Sequence, residues 1–147
     1  MMKCINKNPH YKSTTEFYNA TSQALTSTGS PLNLIGTQVT NTGVAVDTSG
    51  TAIDIKYSGT YAVKVSVVVD ATTAGDVTLQ LYANGTPLPE TLRTVTLAVG
   101  NNVIDIDTVR FLKASCSESA QVQIYAKTDG TAVGSVTMVS GNTVKLA

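Results

Sequence analysis

YSGTYAVKVSVVVDATTAGDVTLQLYANG, residues 57–85, holds the longest clean alternation in the chain. In its first half Tyr61, Val63, Val65, Val67 and Val69 fall on one face, and Ala62, Lys64, Ser66, Val68 and Asp70 on the other. A period of two with β-branched residues on the apolar side predicts a half-buried strand. Each valine taken fully out of water contributes roughly 1.5–3 kcal/mol, so this face anchors a core. In the second half Val77, Leu79 and Leu81 point inward and Asn84-Gly85 suits a tight turn with positive φ. A loop over residues 71–76 is expected between the two strands.

Outward from this pair the chain offers only short apolar runs broken by turn residues. Strands are expected over residues 34–39, 44–47, 51–57, 91–99, 103–113, 121–127, 133–139 and 143–146, with turns at Ser49-Gly50, Asp129-Gly130 and Gly141-Asn142. Within 103–113, Ile104 and Ile106 share one parity while Val109 and Phe111 take the other. A bulge near Asp107 or Thr108 would reconcile them. About nine or ten strands with turn signals every eight to twelve residues define an all-β fold, a two-sheet antiparallel jelly-roll sandwich.

Residues 1–31 differ from this body, residues 32–147. They hold the one histidine and few apolar side chains, and they read as an extended or partly helical N-terminal arm. A short helix over residues 13–25 would have Ser13 or Thr14 as its cap and Phe17, Ala20, Ala24 and Leu25 on one stripe. TSTGSP, residues 26–31, is expected to be a flexible joint. Ile5, Pro9, Tyr11, Phe17 and Tyr18 are the arm's candidate anchoring residues.

At 147 residues the chain fits one domain. Only 14% of residues are charged, ten basic against ten acidic, so there is no electrostatic footprint for nucleic acid or an anionic membrane. No apolar run is long enough to span a bilayer, and MMKCINKNPHYKS lacks the apolar centre of a secretory signal. The two glycosylation sequons, Asn19-Ala20-Thr21 and Asn84-Gly85-Thr86, are therefore expected to be accidental. Cys4 and Cys116 show no metal spacing and read as unpaired thiols.

Chemistry-bearing residues are sparse. A nucleophilic triad needs an imidazole in a packed pocket, and His10, the only one, sits in the polar arm beside Pro9. With Cys4 it supplies two metal ligands where a closed zinc site wants four. Asp105 and Asp107 leave one face of one strand, their Cα atoms roughly 7 Å apart. Paired carboxylates serve calcium sites and glycosidases, but a solvated outer face is the simpler reading in a chain with no Trp and 5% aromatics. Tyr57 and Tyr61 share the buried parity, whereas Tyr82 and Tyr125 face out. With Ala62 and Val68 they are candidates for a subunit interface or a glycan platform. No catalytic residue, metal or cofactor is expected.

The run Ser58-Gly59-Thr60-Tyr61-Ala62-Val63, its long valine strand, and Val77-Thr78-Leu79-Gln80-Leu81-Tyr82-Ala83-Asn84-Gly85 resemble the trimeric jelly-roll heads of the tumour necrosis factor and complement globular-head superfamily. The pattern is most similar to the bacterial and phage branch, the heads of spore-surface collagen-like proteins and phage fibres. It covers about residues 32–147, without a Gly-x-y stalk or a signal peptide. The resemblance implies a threefold homotrimer, with Val144 and Leu146 at the chain's end packed in its interface. A structural virion protein follows as the expectation, either a phage head fibre or a capsid-decoration protein. It would bind capsid or other virion proteins through its arm, be made in the host cytoplasm and be released by lysis. The alternative is the receptor-binding tip of a tail fibre holding host surface glycan.

Overall fold

The computed structural model describes residues 13–40, 44–46, 49–115 and 117–147. Among them are thirteen strands: β1 (Thr14–Asn19), β2 (Gln23–Ala24), β3 (Ser30–Pro31), β4 (Thr37–Thr40), β5 (Val44–Val46), β6 (Ile53–Ile55), β7 (Gly59–Thr73), β8 (Gly75–Ala83), β9 (Thr86–Pro87), β10 (Arg93–Leu97), β11 (Gly100–Leu112), β12 (Ala120–Thr128) and β13 (Val133–Lys145). One 3₁₀ turn, η1 (Pro89–Thr91), lies between β9 and β10. Every strand pairing is antiparallel.

The strands form two sheets. The front sheet runs β11-β7-β13-β1-β4, with β2 also on β13; the back sheet runs β10-β8-β12-β6-β5, with β3 on β12 and β9 on β8. From β6 onward the chain crosses between sheets after β6, β7, β10, β11 and β12. That repeated crossing makes a jelly roll rather than a meander.

The long alternation becomes β7, whose inward residues Tyr61, Val63, Val65, Val67 and Val69 are all at most 3% exposed. They meet Val77, Leu79 and Leu81 of β8 and Val122, Ile124 and Ala126 of β12 across the sandwich, as their parity predicts. The expected loop at 71–76 shrinks to Ala74, because β7 continues to Thr73 and β8 begins at Gly75. Asn84 and Gly85 have φ of 51° and 79°, the two left-handed residues that a tight hairpin requires.

Four further expectations change. The helix over 13–25 is absent: Ser13, Thr15, Phe17 and Asn19 are buried in strict alternation, and β1 lies between β13 and β4. β-Branched and aromatic residues at 14–18 favour the pleated sheet once a partner strand is available. The joint at 26–31 is pinned rather than flexible, since β3 pairs with β12 and the Thr128 N–H donates to the Thr26 carbonyl. Gly141-Asn142 is no turn but the middle of β13. A Cβ on Gly141 would stand 2.5 Å from the Lys64 carbonyl and 2.9 Å from Phe17 Cζ, so glycine serves close approach there. Finally, β11 pairs with β7 without a register shift, so the expected bulge near Asp107 is missing. Register shifts occur in β13 instead, at Val133/Gly134 and Val136/Met138. The second lets Val136 and Val139 both face inward.

The buried polar groups hold the loops. Tyr61, fully enclosed, donates its hydroxyl to the Tyr57 carbonyl at 2.6 Å, and burial pushes its phenol pKa up to about 12. Buried Thr91 of η1 accepts from the Leu81 N–H at 2.9 Å and donates to the Leu88 carbonyl at 2.7 Å. Asn19 is 2% exposed, its amide donating to the Asn33 carbonyl and accepting from the Thr21 N–H, so its sequon presents no free acceptor nitrogen.

Candidate functional site

The back of a half-buried strand normally carries polar residues, and the front sheet departs from that rule. Registers place its outward side chains in level rows, about 7 Å apart along the strands. Phe111 lies opposite Thr60. The next row is Val109, Ala62, Val144 and Thr14. Then come Asp107, Lys64, Asn142 and Glu16, followed by Asp105, Ser66, Ser140 and Tyr18, and then Val103, Val68 and Met138. Two apolar bands thus flank a polar belt.

The bands are open to solvent in the protomer: Phe111 is 60% exposed, Val109 61% and Val103 64%. These three β11 residues were not among the interface candidates. The signal was present as the parity change at Val109 and Phe111, which marks apolar residues facing out rather than a kinked strand.

The belt sinks into a hollow of about 640 Å³ lined by Glu16, Tyr18, Lys64, Asp105, Asp107 and Asn142 among others. Asp105 and Asp107 are both exposed and share it with one lysine and a third carboxylate. On the opposite face of β11, Arg110 meets Glu90 of η1 at 2.7 Å, and Thr108 donates to the same carboxylate at 3.5 Å. Glu90 sits below the usual carboxylate range, chiefly through its own backbone N–H and then through Arg110. No group of three or more metal-ligating side chains occurs among the described residues.

The candidate interface residues therefore divide. Ala62, Val68 and Val144 stand on the outer face of the front sheet, and Leu146, 57% exposed, follows at the end of β13. Tyr82 and Tyr125 lie on the outer face of the back sheet, their rings stacked with centroids 4.0 Å apart and tilted by 31°. The two groups belong to opposite sides of the sandwich. Of the arm candidates, Phe17 is buried under the front sheet and Tyr18, 46% exposed, lines the hollow. Ile5, Pro9 and Tyr11 lie outside the described residues, as do Cys4, His10 and Cys116.

In class the protein is a two-sheet jelly roll, and solved structures share its fold. PRD1 vertex protein P5 superposes with a TM-score of 0.64 at 14% identity, covering 92% of this chain and 97% of that one. Murine APRIL gives 0.61 at 9% identity over 92% and 100% of the two chains. The Eiger TNF of S. frugiperda gives 0.57 at 12% identity over 92% of each. These identities establish a common fold. No family model and no curated protein matches the sequence.

Proposed function

We propose that this chain is a non-enzymatic structural protein of a phage particle, a head fibre or capsid-decoration protein that works as a homotrimer. The observation that carries the assembly is the outer face of the front sheet, where Val103, Val109, Phe111 and Val144 stand exposed in two bands. Four strands by five rows give a face on the order of 650 Å² per copy, close to the roughly 800 Å² per partner of a standard protein interface. Likeness to a vertex protein along nearly the whole of both chains supports the virion placement. Synthesis in the host cytoplasm and release by lysis complete this reading.

Attachment belongs to residues 1–12, because residues 14–19 are a strand of the front sheet and are not free to dock elsewhere. Deleting residues 1–12 is expected to abolish binding to particles while leaving the trimer intact by native mass spectrometry. Retained particle binding would refute the anchor, and a monomer of the full chain at micromolar concentration would refute the trimer.

A second reading, a receptor-binding fibre tip, draws on the stacked Tyr82–Tyr125 pair, which lies on the side that front-sheet assembly leaves uncovered. Paired aromatic faces suit a sugar ring. Glycan-array binding lost in Tyr125→Ala would favour it, and an array with no bound glycan would count against it.

A further inference from the structure

The belt holds charges that the protomer leaves unpaired. Among the described residues the one ion pair is Arg110–Glu90; Glu16, Lys64, Asp105 and Asp107 form none although they share one hollow. Among the described residues Lys64 is the only cation lining it, against three carboxylates. When the flanking apolar bands close against another copy, these charges lose water, and a desolvated charge is tolerated only when it is paired.

Geometry supplies the pairing. A cyclic assembly whose axis runs along the strands keeps each row at one height, so band meets band and belt meets belt. Asp105 and Asp107 stand on β11, the edge of the front sheet, while Lys64 stands on β7 within the face. Asp107 and Lys64 occupy one row and Asp105 the next.

We propose that Lys64 of one copy pairs with Asp105 and Asp107 of the neighbouring copy, and that this contact fixes how the copies align. The proposal rests on the assembly reading above. The apolar bands supply attraction without direction, and the belt supplies the register. Asn142 and Tyr18 provide neutral donors for the remaining carboxylate charge.

The test uses the full chain with Lys64→Glu, and separately with Asp105→Lys and Asp107→Lys together. Each is measured alone and as an equimolar mixture by native mass spectrometry and sedimentation, with circular dichroism reporting the fold. The wild type is expected to be trimeric. Each variant alone should assemble at least about tenfold less tightly, the scale of one charged hydrogen bond. The mixture should recover part of the assembly as 2:1 and 1:2 trimers, in which two of the three interfaces bring opposite charges together while the third keeps like charges. Should Lys64→Glu lose its β-sheet signal, Lys64→Gln repeats the measurement with the same expectation. A wild type that stays monomeric overturns the assembly reading itself. A wild-type trimer whose variants assemble equally well overturns the pairing alone. Variants that dissociate without rescue on mixing also overturn it, since their charges then act within one copy.

Discussion

Two enclosed hydroxyls decide how well the loops are held. Thr91 satisfies the Leu81 N–H, a ladder donor that β9 and β10 do not reach. Thr91→Val keeps the shape and orphans that donor, so urea denaturation should show a loss of about 1–3 kcal/mol, with Thr91→Ser losing less. Tyr61 makes stability pH-dependent at the alkaline end. Its phenol stays protonated in the fold up to about pH 12, while in the unfolded chain it ionises near pH 10. The unfolded state therefore binds fewer protons between those values, and stability falls as pH rises through that window. Tyr61→Phe should flatten that part of the pH–stability curve and cost about 1 kcal/mol at neutral pH for the lost bond to Tyr57. Neither role was visible in the sequence. A threonine between Pro89 and Leu92 has no periodicity to mark it, and the partner of Tyr61 follows from the packing of the sandwich.

At the scale of elements, alternation was legible wherever one face meets the core and the other does not. β7, β8 and β12 keep the inward residues assigned to them because their inward sides are dominated by Val, Leu, Ile, Ala and one Tyr. Reading failed where a residue type had two meanings. Glycine at 141 signals a turn locally, yet here it makes room for Phe17 and the Lys64 carbonyl. Thr, Phe and Tyr at 14–18 suit either a weak helix or a strand, and only their distant partners β13 and β4 select the strand. Gly141→Ala should therefore destabilise by about 1–3 kcal/mol, since its nearest obstacle is backbone that cannot swing aside. For a domain of this size that shifts the melting temperature by roughly 2–4 °C per kcal/mol. Calorimetry of the variant checks it.

For the molecule as a whole, the sandwich and its inner faces were legible, and most of its outer face was not. The inside–outside code assumes that outside means water. Val103, Val109 and Phe111 are apolar yet exposed, and only the register with β7 shows that they continue one surface. Val109→Asp makes the point measurable. Its side chain is largely exposed, so thermal stability of the isolated fold should move by no more than about 0.5 kcal/mol, while the trimer should be lost by sedimentation. A Val109→Asp chain that remains fully trimeric would remove β11 from the interface.

The position of β1 has a mechanical consequence. Its first residues lie beside the end of β13, with the Lys145 N–H donating to the Ser13 carbonyl, and β1 is held on both flanks by β13 and β4. Tension applied through residues 1–12 and directed along the strand axis pulls β1 lengthwise past both neighbours. Its ladder bonds are then loaded together instead of one after another, as they would be in a strand peeled from its end. Under such a load β1 yields only when the whole ladder slips at once, so the place where the chain enters the sandwich is suited to bearing force.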